Sequence, residues 1–360
     1  MATNTDYQRG KLTGAHLRFL ELAKGLARND EVMIISRKIP QLESVCNIKF
    51  SHINDNDYRL LPDHIETIVK ISKQAQKIST IYHFDVAISF TPFITIAYGL
   101  AGIPNIVSLF REDLIGYHKI IGTSKLKIRY YFIFERIAVK KSKKIIVQCI
   151  NDKMNLINRQ KKYEKNIEKK VYIQINNVNA SWMQGNKKQN RENKTIEILF
   201  IGEFSNIRKG QDILLPVVAR LLDSRYPIRL TVAGDGKNLN TYKELYKNYK
   251  DIVFVGRVRV SDYITESDIL IVPSLIDSCP NTVLEGLNFG VAVYGANTGG
   301  IPDLLKDEKY LFAPNERDLE LFLKDVLDSN RFEEDAYEQK TIQEELTFDW
   351  AKRMKGIIDA

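Results

Sequence analysis

Asp277 and Glu285 stand eight residues apart in the stretch IVPSLIDSCPNTVLEGLNFG (271–290), on either side of a Pro-Asn-Thr step. A β-branched apolar run breaks at Pro273-Ser274, and a helical pattern resumes near Thr282. Unpaired N–H groups and the helix dipole at Asn281-Thr282 favour an anion there, most simply a phosphate. A carboxylate repels phosphate, so Asp277 and Glu285 are expected to take neutral hydroxyls on its two sides. A sugar on one side and a ribose on the other describe a nucleotide sugar. Taken alone, the pair fits equally well a loop carboxylate and a solvated helix carboxylate.

Two other segments carry compatible chemistry. In FIGEFSNIRKGQD (200–212), Arg208, Lys209 and Gly210 follow a strand end and precede a helix, where a lysine can reach a diphosphate. In GANTGGIPDLL (295–305), Gly299-Gly300 lies between a strand and a helix and is expected to let the backbone approach a ligand closely. Each is weak alone, since loop lysines and turn glycines are common. Together they place ligand chemistry in three strand-to-helix loops of one domain.

The elements that must position these residues read as alternating helices and continuous apolar strands. EVMIISR (31–37), DVAISF (85–90), IPNIVSLF (103–110) and KKIIVQC (143–149) read as strands of a first sheet. IEILFIGEF (196–204), IRLTVAGDG (228–236), IVFVGRV (252–258), DILIVPS (268–274) and VAVYGAN (291–297) read as strands of a second. The intervening helical patterns imply βαβ units and parallel sheets buried on both faces. The polar stretch ASWMQGNKKQNRENKT (180–195) interrupts the rhythm. The expected architecture is α/β, two doubly wound domains facing across a cleft. Residues 1–180 form the first domain, 181–195 a linker and 196–344 the second, and a closing helix over 345–360 returns to the first. Ligands of such sheets bind beyond the carboxyl ends of the strands.

At 360 residues the chain is long enough for two cores. No apolar run is long enough to span a bilayer, and MATNTDYQRGK has no signal-peptide core. Three scattered cysteines, Cys46, Cys149 and Cys279, form no zinc or disulfide framework, and a reducing, cytoplasmic setting is expected. The net charge of +8 is unevenly spread: residues 1–180 hold 29 Lys+Arg against 16 Asp+Glu, and the rest hold 24 against 29. Within 119–170 the count is 16 against 4, around RYYFIFERIAVKKSKK. Such a patch suits an anionic membrane surface, or is simply a solvated basic face. No nucleic-acid-binding motif accompanies it, so nucleic acid is not an expected partner.

The loops quoted above, PSLIDSCPNTVLEGLNFGVAVYGANTGGIPDLL with ILFIGEFSNIRKGQDILL, resemble the family 4 (group 1) glycosyltransferases of the GT-B fold. The specific resemblance covers about residues 196–312. It continues more loosely through TGAHLRFLELAKGLARNDEVMIIS at the start and FDWAKRMKGII at the end. It implies transfer of a sugar from a nucleotide donor with retention of configuration, no cofactor and no required metal. It implies donor binding by Arg208, Lys209, Asp277, Asn281, Thr282, Glu285, Gly299, Gly300 and, from the first domain, Gly14. Lys209, Asp277 and Glu285 would carry the chemistry, and Arg111 would lie on the acceptor side; His118, like His16, is read from its position alone as a candidate acceptor contact or, more commonly, a surface histidine. UDP, the commoner case, is expected over GDP. A lipid-linked glycan of a cell-surface polysaccharide pathway is the expected acceptor, reached from the inner membrane face.

The chain departs from the family pattern in four places. Asp277 replaces the usual glutamate, Glu203 the usual arginine after Gly202, and Arg111 a common histidine. Only MATNT stands where most of a first strand is expected. A nucleotide-sugar-binding protein without catalysis therefore stays open. So, more distantly, does an NAD-dependent oxidoreductase, because Gly234-x-Gly236 follows a strand but lacks the third glycine of a dinucleotide fingerprint. Asp55-x-Asp57, a metal motif of other transferases, sits in a polar run, and His16 reads as a surface residue.

Overall fold

The computed structural model describes residues 1–2, 14–36, 39–53, 62–178 and 195–360. Asp55, Asp57 and residues 181–194 of the expected linker lie outside the described residues, and Gly14 is described only as the first residue of helix α1.

The first domain runs α1 (Gly14–Leu26), β1 (Val32–Ser36), β2 (Ile48–His52), α2 (Asp63–Ser79), β3 (Ala87–Ser89) and α3 (Pro92–Leu100). It continues through β4 (Ile106–Phe110), α4 (Leu114–Ile120), α5 (Lys125–Lys141), β5 (Ser142–Val147), α6 (Ile150–Gln160), α7 (Ile167–Lys170) and β6 (Val171–Ile173). The pair β1-β2 and the set β3-β4-β5-β6 are parallel throughout. Ala2 bridges the two, pairing in parallel with Ile35 on one side and Ser89 on the other. The Met1 nitrogen donates to the Met33 carbonyl and the Met1 carbonyl accepts from Ile35 N–H. Met1 and Ala2 thus occupy the place of the expected first strand. A cavity of about 670 Å³, lined by Met1, Val32, Met33, Phe84, Val86 and Ile358 among others, lies beside them.

The second domain runs β7 (Ile196–Ile201), α8 (Gln211–Asp223), β8 (Ile228–Ala233), α9 (Leu239–Leu245), β9 (Ile252–Gly256), α10 (Val260–Ile264) and β10 (Ile269–Val272). Then come α11 (Asn281–Phe289), β11 (Ala292–Ala296), α12 (Ile301–Leu305), β12 (Leu311–Phe312), α13 (Glu316–Ser329) and α14 (Phe332–Glu345). Its six strands form one parallel sheet in the order β12-β11-β10-β7-β8-β9. The central strands β10 and β11 are buried along their whole length, as expected for strands covered by helices on both faces. Pro216 sits inside α8.

The last helix, α15 (Trp350–Asp359), leaves the second domain and packs on the first. Trp350, Ala351, Met354 and Ile358 join a core cluster with Leu22, Ala23 and Ile34. A Cβ added to Gly25 would lie 2.2 Å from that of Ala351, so α1 and α15 meet where only glycine fits. The chain passes between the domains at two neighbouring places. Val178 N–H donates to the Leu346 carbonyl (2.9 Å), and Asn177 Nδ2 donates to the Phe348 carbonyl (2.6 Å). The buried guanidinium of Arg18, on α1, donates to the Asn177 side chain and to its carbonyl and lies over the Trp350 ring. One α1 residue therefore ties both passages together.

Candidate functional site

The carboxyl ends of β4, β7 and β10 converge on a cleft of about 400 Å³ between the domains. Arg208, Lys209, Asp277, Asn281, Thr282 and Glu285 line it from the second domain; Arg111, Glu112 and Tyr117 line it from the first.

Each side chain is held for a local reason. After β7 the chain turns through a short 3-10 segment, Ile207–Lys209, capped by Asn206, whose Oδ1 accepts from Arg208 N–H at 2.9 Å. Gly210 follows at φ +76°, and a Cβ there would lie 1.9 Å from the Pro273 carbonyl oxygen. Only glycine lets this turn press against the loop after β10. The press puts Lys209 Nζ 2.6 Å from Asp277 Oδ2 and an Arg208 nitrogen 3.5 Å from the same oxygen. Glu285, on the second turn of α11, faces the cleft beside Lys209. Burial raises its carboxyl to about 7, and the Lys209 charge opposes the rise. The Thr282 hydroxyl, near the start of the same helix, is buried without a hydrogen-bond partner. An open helix N-terminus, two cations and an unpaired hydroxyl together suit a phosphate-bearing ligand.

The sequence-expected residues fall out unevenly. Arg208, Lys209, Asp277, Asn281, Thr282, Glu285 and Arg111 meet in the cleft. Gly299 and Gly300 press against the loop that carries Asp277. Cβ atoms there would lie 2.1 Å from the Asp277 carbonyl and 1.9 Å from that of Ser278, and Gly300 N–H donates to the Asp277 carbonyl. The glycines hold the Asp277 loop in place. His118 needs correction. It is buried, stacked on Tyr131 with ring centroids 4.1 Å apart, and bonded through Nδ1 to Thr123. Its neighbour Tyr117 faces the cleft instead. Glu203 is exposed, and Arg208 joins Lys209 beside Asp277. His16 lies close enough to Arg111 for the arginine, after burial, to lower its pKa.

Gly234 and Gly236 also have a packing explanation. Cβ atoms there would lie 1.7 Å from the Gly202 carbonyl and 2.5 Å from the Phe204 backbone. This removes the support that the Gly-x-Gly pair lent to a dinucleotide site.

Sequence reasoning missed Glu112, Tyr117, Asn176 and Gln148. The first two follow β4 directly, so the strand-end rule was the available signal.

Residues 195–328 match the family model described as glycosyl transferases group 1. The phosphatidylinositol N-acetylglucosaminyltransferase gpi3 subunit of Schizosaccharomyces pombe is 26% identical over 163 residues, which is 42% of this chain and 36% of that protein. The chain spans about a third to a half of the length of the curated relatives it matches. Over nearly its whole length it superposes on Anabaena HepE solved with UDP, at TM-score 0.72 and 15% identity, covering 98% of each chain. It superposes likewise on WaaG, a glycosyltransferase involved in lipopolysaccharide biosynthesis, at TM-score 0.70 and 17% identity, covering 100% of this chain and 99% of the other. The superpositions bear on the fold, and the sequence match bears on the half that carries Lys209, Asp277 and Glu285. With its two parallel-sheet domains meeting at that cleft, the chain has the GT-B fold, and its residues 195–328 are similar to the group 1 glycosyltransferases.

Proposed function

We propose that the chain transfers a hexose-type sugar from a nucleotide-sugar donor, with retention of configuration, to an acceptor held by its first domain. The observation that carries this reading is the convergence of Lys209, Asp277 and Glu285 on the start of α11, next to the unpaired Thr282 hydroxyl. Departure of a diphosphate builds negative charge on its oxygens. Lys209, Arg208 and the α11 N-terminus are placed to stabilise that charge, and one such donor is worth on the order of 100- to 1,000-fold in rate. Asp277 takes sugar hydroxyls and Glu285 takes the ribose. UDP is the favoured nucleotide, in keeping with the HepE complexes with UDP and UDP-glucose. No metal or cofactor enters the scheme. The test is nucleotide release from a panel of UDP- and GDP-sugars, with membrane extract supplying acceptor. Release that stays at the buffer level for every donor would leave a binding protein in place of an enzyme.

The acceptor reading is a lipid-linked glycan at an anionic membrane surface, and α5 supports it. Leu126, Ile133 and Ile137 are 81, 47 and 38% exposed and fall on one face of that helix, beside the exposed Arg129 and Lys140. Apolar groups flanked by cations on one helix face suit the lipid interface. The aromatic residues expected there turn inward instead: Tyr131 and Phe134 pack with Phe93 and His64, and Phe132 with Tyr163. Lys144 is also withdrawn, its buried Nζ donating to the carbonyls of Ile357 and Ile358. Among the described residues, no helix is long and apolar enough to cross a membrane.

A further inference from the structure

Helix α4 is anchored more firmly than its seven residues explain. Its cap, Asp113, is buried, and accepts from Gly116 N–H at 3.0 Å and from Asn155 Nδ2 at 3.1 Å. Arg159 joins that carboxylate at 2.9 Å and makes a two-pronged contact with buried Glu135 at 3.1 and 2.9 Å. Gln160 donates to the same Glu135 at 2.7 Å. Buried charges paired in this way have little freedom, because any displacement leaves one of them uncompensated. The network ties the start of α4 to α5 and α6.

The anchored helix presents two residues to the other domain. A Cβ at Gly116 would lie 2.7 Å from Asp113 Oδ2 and 2.9 Å from Ile276 Cδ1, so α4 at this point sits between its own cap and the loop that carries Asp277. Tyr117 comes next. Its hydroxyl accepts from Asn206 Nδ2 at 3.4 Å, and its ring lies 6.0 Å from the Arg208 guanidinium carbon. Asn206 is the cap of the turn that bears Arg208 and Lys209. Arg208 is therefore shared between a first-domain ring and the second-domain carboxylate of Asp277.

We propose that Tyr117 is a positioning residue for Arg208, so that the cation set of the donor site is completed only when the acceptor-side domain is docked. The proposal rests on the reading of Arg208 and Lys209 as diphosphate ligands. It requires turnover to depend on Tyr117 more steeply than nucleotide binding does, because Lys209 and the start of α11 still hold the diphosphate when Arg208 is displaced. An aromatic ring holding a cation at a partly exposed site contributes about a fivefold factor. Tyr117→Leu should thus lower kcat about fivefold while UDP affinity, measured by calorimetry on the full chain, changes less than about twofold. Tyr117→Phe keeps the ring and should restore most of the lost rate. In an Arg208→Ala background, Tyr117→Leu should have no further effect on kcat, whereas a ring that merely stabilises the fold would add its loss. Native-like turnover by Tyr117→Leu overturns the proposal. So does a fall in UDP affinity that matches the fall in kcat, or additive losses in the double variant. Failure of the native protein to bind UDP or GDP would sink the donor-site reading itself, and is distinguished by needing no variant.

Discussion

Lys209 Nζ and Asp277 Oδ2 stand 2.6 Å apart, an ion pair between the two loops that flank the start of α11. On the proposed donor reading, a diphosphate entering the cleft competes with Asp277 for that cation. The carboxylate thereby loses part of its charge compensation at the moment a sugar hydroxyl becomes available to it. One methylene more, as in the usual glutamate, would reach deeper. The shorter aspartate keeps Lys209 and Arg208 on a single oxygen.

Lys209→Ala should lower turnover on the order of 100-fold, the size expected when one charge-stabilising donor is removed from a leaving group. Steady-state nucleotide release measures it. A loss under about threefold would move the role to Arg208.

Glu285→Gln should weaken use of the nucleotide donor at least about tenfold, since a carboxylate accepting from two ribose hydroxyls is replaced by a group with half the acceptor capacity. The pH dependence follows from the raised carboxyl at about 7. The folded state holds the proton where the unfolded chain has lost it, so this group's effect on stability turns unfavourable as pH rises from the ordinary glutamate range through 7. Glu285→Gln removes that penalty. Its melting temperature should exceed the native one at pH 8 and match it near pH 4.5, by calorimetry. Donor affinity of the native protein should fall as pH drops through 7, and that of Glu285→Gln should stay flat.

The product linkage should keep the donor's anomeric configuration, read by proton NMR, and EDTA should leave the rate unchanged. Inversion, or strict dependence on manganese, would direct attention to the Asp55-x-Asp57 run instead.

Native protein should sediment with anionic vesicles at low salt and be released at about 0.5 M, where screening shrinks to a few ångströms. Leu126→Ser, Ile133→Ser and Ile137→Ser together should weaken that binding while sparing nucleotide affinity. Retention in the supernatant with anionic lipid at low salt would favour a water-soluble acceptor.

Much of the fold is legible because parallel strands buried on both faces leave uninterrupted apolar runs, as in β4, β10 and β11. β2 was not: IKFSH is largely open to solvent, and its pattern is too polar to announce a strand. The donor-side residues were legible because loops after parallel strands converge on one edge of the sheet. The acceptor side was less so. On a seven-residue helix, sequence alone does not fix which of two adjacent rings, Tyr117 or His118, faces the cleft. The glycine pairs at 299–300 and 234–236 showed that something approaches closely, but only coordinates show it to be the chain's own backbone. In α5 the conspicuous aromatics drew attention away from Leu126, Ile133 and Ile137, whose spacing follows the helical period.

The two neighbouring passages between the domains, joined by the bond from Val178 to Leu346 and gripped by Arg18, have a mechanical consequence. A single connecting strand acts as a ball joint and leaves three rotations open. Two strands fastened side by side act as the leaf of a door, with one soft axis running along the pair. The cleft can then swing, but it resists twisting and sideways slip. Such a hinge would keep Tyr117 in register with Arg208 across the cleft.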